Sequence, residues 1–134
     1  MIKEVSKEFP PNYQQILETF PNCVGKAVFA YNTTIFNPYK LKFTPDLVEH
    51  ENCHSVRQGN DPEKWWNNYL KSPSFRESEE VLAMATQLKW AKQFMRAKDS
   101  DKLLERMAES LCSPLYKLDL TYHQAHSKIR HSVV

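Results

Sequence analysis

"TPDLVEHENCHSVRQG", residues 44–59, decides how this chain is read. Thr44 is an N-cap candidate, Pro45 suits the first helical position, Asp46 complements the positive end of the helix dipole, and Gly59 is a C-cap candidate. The stretch therefore predicts a helix of about four turns. Within it His50, Glu51 and His54 stand in the order His-Glu-x-x-His. Residues four apart share a helix face, so the two histidines can direct imidazole nitrogens at one ion while Glu51 is set toward the open coordination position. Zinc accepts neutral imidazole and carboxylate ligands, and a catalytic zinc keeps three protein ligands plus a water whose pKa falls to roughly 7. Glu51 would take the proton from that water and hand it to the leaving group. The competing reading is a chance pattern in which both histidines are partly buried helix residues.

A third ligand must come from elsewhere. Glu77, Glu79 and Glu80 follow His54 at the start of another expected helix, and the intervening "GNDPEKWWNNYLKSPS" is long enough to fold that helix back against the first. Ser74 and Glu77 read as an S-x-x-E capping box, which occupies Glu77. Val81, Met84, Ala85, Leu88 and Met95 form an apolar stripe, and Glu80 borders it. A carboxylate facing the interior without a partner is costly, and a metal would remove that cost. Glu80 is the expected ligand and Glu79 the fallback; the alternative is a surface glutamate in an acidic first turn. Cys53, beside His54 along the helix, faces another way and reads as a small buried residue.

Outward from this centre, "NYQQILETF" places Tyr13, Ile16, Leu17 and Phe20 at helical spacing before Pro21. "KAVFAY" and "TTIFNPY" read as a hairpin around Asn32, with Pro38 arguing that the second strand lies at a sheet edge or ends there. An edge strand over Thr33 to Phe36 would hold an extended substrate by strand addition. Asp61-Pro62 opens a helix carrying Trp65 and Trp66, which read as core before substrate floor. Ser100 is a candidate start for a helix carrying Leu103, Leu104, Met107 and Leu111. Leu115 to Leu120 alternate as a strand would, and Thr121 with Gln124 forms a second capping box before a last helix. Residues 1–12, ending at Pro10-Pro11, read as a loose N-terminal arm.

The 134 residues fit one domain, 1–134, and 41% hydrophobic content suffices for a modest core. Eighteen basic against 16 acidic side chains give a net charge of +2, too small a field to argue for nucleic acid. The N-terminus lacks the apolar run of a signal peptide and no stretch approaches a membrane span, so the expectation is a soluble cytoplasmic protein without a membrane partner. Three cysteines at unrelated spacings argue against a disulfide framework. His123, His126 and His131 read as a solvated terminal helix, and Lys89, Lys92, Arg96 and Lys98 as a solvated helix face. A hydrolase also needs a group for the developing oxyanion, and Tyr39, Tyr116, Tyr122 and His123 are the candidates.

"LVEHENCHSVRQ", "WWNNYL", "SPSFRESEEVLAMATQ" and "LCSPLYKLDLTYHQAHSKIR" together resemble the small gluzincin-type zinc metallopeptidase-like proteins encoded by phages and prophages, over roughly Ala27 to Arg130. In gluzincins the third ligand is a glutamate in a Glu-x-x-Ala setting, which Glu80-Val81-Leu82-Ala83 matches. Leu82 and Met84 depart from it, standing where such proteins often carry an acidic residue and an aromatic or acidic one. The resemblance implies His50, His54 and Glu80 as ligands of Zn2+ and Glu51 as general base, but no known substrate; the main expectation is hydrolysis of a peptide bond in a protein or peptide substrate. The expected fold is a compact, mostly helical α+β zincin-like domain with a small antiparallel sheet or hairpin before the His-Glu helix. A second expectation is a phage virion or assembly protein in which the metal is structural, located in the host cytoplasm or in the particle. A third is a factor acting on a host protein.

Overall fold

Three of the helices open on proline, whose fixed φ and missing N–H suit a first helical residue. The computed structural model describes residues 1–134. Pro45 begins α2 (Pro45–Gln58), Pro62 begins α3 (Pro62–Lys71) and Pro73 begins α4 (Pro73–Phe94). Asp61 caps α3 by accepting from the Lys64 N–H at 3.1 Å. Ser72 caps α4 by accepting from the Phe75 N–H at 3.2 Å. The Ser74–Glu77 box expected there does not form, because Pro73 starts the helix earlier; Glu77 instead accepts from Lys128 Nζ at 2.7 Å. The remaining helices are α1 (Tyr13–Thr19), α5 (Ala97–Leu111) and α6 (Tyr122–His131). The Thr121–Gln124 box does form before α6, with both bonds present. Helix α5 starts ahead of Ser100, which is buried in its first turn and bonds back to the Ala97 carbonyl at 3.0 Å.

The sheet has three short strands, β1 (Glu4–Ser6), β2 (Phe29–Tyr31) and β3 (Thr34–Phe36), in the order β1-β3-β2. The hairpin β2–β3 is antiparallel and turns at Asn32, whose φ of 57° asparagine tolerates better than most side chains. Two sequence expectations are corrected here. The arm 1–12 is not loose: β1 pairs in parallel with β3, and the Ile2 N–H donates to Asn52 Oδ1 on α2 at 2.9 Å. The sheet is therefore mixed, and β3 is its central strand, with Pro38 lying just past its end. Strand addition along Thr33 to Phe36 is blocked because both edges of β3 are already paired.

The alternating stretch Leu115 to Leu120 is not a strand either. Pro114 to Lys117 form a turn, with Lys117 at a φ of 52°, and the buried Arg76 takes the carbonyls of Tyr116 and Lys117 at 2.8 and 3.4 Å. The apolar members of the alternation, Tyr116, Leu118 and Leu120, pack on a helical core instead of a neighbouring strand.

The fold is thus α+β, six helices with one small sheet, built around two apolar clusters. One joins α4, α5 and α6 through Leu88, Leu104, Leu111 and Ile129. The other joins α1, β2 and α3 through Ile16, Phe29, Trp65 and Trp66. Helices α2 and α4 pack along each other. No helix is long and apolar enough to cross a membrane.

Candidate metal centre

The packing of α2 on α4 brings His50, His54 and Glu80 together. Their ligand atoms lie within 4.8 Å of one another, and all three residues are at most 6% exposed. His50 Nε2 is 3.2 Å from Glu80 Oε1, and His54 Nε2 is 3.0 Å from Glu80 Oε2. Atoms bound at zinc distances to one tetrahedral ion lie about 3.3 Å apart, so the spacing is that of a coordination edge. Glu80 Oε1 and His54 Nδ1 are buried with no hydrogen-bond partner. A buried carboxylate oxygen that makes no hydrogen bond, 3.2 Å from an imidazole nitrogen, is what a cation would satisfy. This buried group can hold a metal ion.

Neighbouring side chains fix the ligands. Gln87 Nε2 donates to Asp46 Oδ2 at 2.7 Å, which turns Gln87 Oε1 toward His50 Nδ1 at 3.0 Å. An amide oxygen only accepts, so His50 Nδ1 carries a proton and Nε2 is the nitrogen left for a metal. Tyr69 donates its hydroxyl to Glu80 Oε2 at 2.8 Å. His54 is positioned by packing, its ring 5.2 Å from that of Trp65.

Glu51 is 4% exposed and its Oε2 lies 3.6 Å from His50 Nε2, beside the ligand group and outside it. Burial raises its pKa above the ordinary carboxylate value, against the pull of His50 and His54. Burial pushes His50 down, but Glu80 and Glu51 outweigh it and lift its pKa to about 9. Burial pushes Glu80 up, and the two imidazoles overcome it, holding the carboxyl below its usual range.

The structure separates the glutamates that the sequence left as alternatives. Glu79 is also buried, but Arg57 Nε donates to both its oxygens at 2.8 Å and Trp65 Nε1 donates to Oε1 at 2.6 Å. Those bonds tie α2, α3 and α4 together and leave Glu79 no role as ligand. Cys53 stays outside the group, and His123, His126 and His131 lie on α6, apart from it. Lys89, Lys92, Arg96 and Lys98 are solvated.

A cavity of about 80 Å³ opens beside the centre, with His50, Glu51, His54 and Glu80 on one side and apolar residues such as Phe20, Phe29 and Trp66 on the other. Of the four oxyanion candidates only Tyr116 lines it. Tyr39 is engaged with Tyr13 at 2.7 Å between the hydroxyls, and Tyr122 and His123 are exposed on α6. Burial, with Glu80 and Glu51 nearby, keeps the Tyr116 hydroxyl protonated well above the ordinary tyrosine range.

Asp46, Tyr69 and Gln87 were not among the residues the sequence singled out for the site. Gln87 carried a faint signal, standing seven residues after Glu80 and hence on the same helix face. No family model, curated protein or solved structure matches this chain.

Proposed function

We propose that this chain is a zinc-dependent peptide hydrolase, a minimal zincin-like domain of the gluzincin type. The observation that carries the reading is the second carboxylate: Glu51 lies beside the His50–His54–Glu80 group, in the same cavity, without belonging to the group. A purely structural metal site needs no such neighbour. Zinc bound by the three ligands would supply a Lewis acid and a water acidified to a pKa of roughly 7. Two imidazoles and one carboxylate suit zinc among the divalent ions.

The residues then divide the work. Glu51 accepts the proton of the attacking water as the water oxygen bonds to the peptide carbonyl carbon. It returns that proton to the amide nitrogen as the C–N bond breaks. Tyr116 offers its hydroxyl to the oxyanion, and the apolar wall keeps bulk water from the reacting centre.

A second reading is favoured by the small size of the inner cavity, whose volume of about 80 Å³ has room for several waters but not for a peptide. In it the metal braces α2 against α4, and the chain serves as a phage virion or assembly component. Elemental analysis of untagged protein separates both readings from coincidence. Wild type should carry about one zinc per chain, and His54→Ala and Glu80→Ala should lose it. Glu51→Gln should keep the zinc and lose at least 100-fold in peptide cleavage. Zinc-free wild type after supplementation would sink both readings, and a zinc-loaded wild type that cleaves no peptide would leave the structural one.

A further inference from the structure

The inner cavity is too small for a peptide, so access has to be sought next to it. A larger groove of about 260 Å³ shares His50, Glu51, Leu115 and Tyr116 with the cavity. Its floor and walls are apolar at Val28, Leu41, Leu47, Met107 and Leu115, and its charged rim is Lys26, Lys42 and Arg106. Apart from Glu51 no acidic residue lines it.

The three cations come from three unrelated places in the fold. Lys26 ends the turn after Cys23, closed by its own N–H on the Cys23 carbonyl at 3.0 Å. Lys42 follows a loop that Asn37 clamps, its side chain bonding the Leu41 N–H and carbonyl at 3.0 and 2.9 Å. Arg106 projects from the exposed face of α5. A solvated helix face places like charges at helical spacing on one element, whereas here the turn, the loop and the helix converge on one groove. Like most of the chain's 18 basic side chains, the three make no ion pair, so no internal carboxylate neutralises them; only Arg57, Arg96 and Lys128 are paired. A chain of net charge +2 thus places three cations around a groove that reaches Glu51.

We propose that this groove binds acidic peptides, with carboxylate side chains of the substrate against Lys26, Lys42 and Arg106 and its apolar side chains on the floor. The proposal rests on the hydrolase reading and names the substrate class of that site. Cations lining a cleft raise the local concentration of an anionic ligand and its rate of encounter, and the effect weakens with salt.

The test uses zinc-loaded full-length protein and three synthetic leucine–alanine peptides that differ only in carrying several glutamates, glutamines or lysines. Cleavage is read as kcat/KM, and binding as fluorescence anisotropy on the Glu51→Gln protein, both at low and high salt. The glutamate peptide should lead the lysine peptide by about tenfold or more at low salt, and the lead should shrink in high salt. Reversing charge with Lys42→Glu and Arg106→Glu should abolish or invert the preference while zinc content stays at the wild-type level. Equal handling of the three peptides would overturn the proposal and leave the hydrolase reading standing. Selective binding of the glutamate peptide with no cleavage would uphold the groove's preference and sink the hydrolase reading.

Discussion

Gln87 decides which nitrogen of His50 faces the ion site. Asp46 can only accept, so it claims the amide N–H of Gln87, and the amide oxygen in turn claims the Nδ1–H of His50. Such hydrogen-bonded supports typically account for 10–100-fold in metal affinity. Gln87→Ala should therefore weaken zinc binding by about that factor while the chain stays folded, as titration against a competing chromophoric chelator would measure. An unchanged affinity would mean that packing alone orients His50. At this scale the sequence was most legible where one helix carries the relation: His50, Glu51 and His54 are fixed by helical spacing, and Glu80 by its place beside an apolar stripe. It was least legible where the relation crosses helices. Nothing local to Glu79 reveals that Arg57 and Trp65 bind it, and nothing local to Tyr69 reveals that its hydroxyl reaches Glu80.

Among the elements, α2 shows how local chemistry sets the bounds of a site. Pro45 starts it and Gly59 stops it at a φ of 59°, a left-handed conformation that a side chain adopts only with strain. A Cβ built on Gly59 meets nothing within 4 Å, so the cost of adding one is conformational and not a clash. Gly59→Ala should lower stability by about 1 kcal/mol, read from the urea midpoint, with zinc stoichiometry unchanged. No loss of stability would show that the turn after α2 relaxes freely. Both ends of α2 were readable because Pro45 and Gly59 act within a few residues, although Thr44 makes no side-chain capping bond. The strand expected over Leu115 to Leu120 fails for the opposite reason. Apolar alternation records which side chains are buried, but a strand also needs a neighbour for its N–H and carbonyl groups. Here the Tyr116 and Lys117 carbonyls go to Arg76, and none of the three strands pairs with this stretch. The same limit hid β1, whose three residues pair only because β3 offers an edge far along the chain.

Across the whole molecule, the candidate metal centre is the joint between the two apolar clusters. Its ligands lie on α2 and α4; α4 runs through the cluster shared with α5 and α6, while Trp65 of the other cluster packs against His54. An ion bound there ties α2 to α4 in the folded chain, and the unfolded chain has no preformed site for it, so binding free energy becomes folding free energy. With free zinc at a hundredfold excess over Kd the gain is about 2.7 kcal/mol. For a domain of this size that corresponds to a rise in Tm of roughly 10 °C. Thermal unfolding of the metal-free and zinc-saturated protein should show that rise in wild type and in Glu51→Gln, which keeps all three ligands. His54→Ala should lose most of it. A response retained in His54→Ala would place the stabilising ion elsewhere, while absence of any response in wild type would leave His50, His54 and Glu80 as a buried ion-pair cluster. The hydrolase and structural readings both require the zinc response, but only the hydrolase reading requires Glu51→Gln to lose catalysis while keeping it. Tm and turnover measured together on that one variant therefore separate what the metal does for the fold from what Glu51 does beside it.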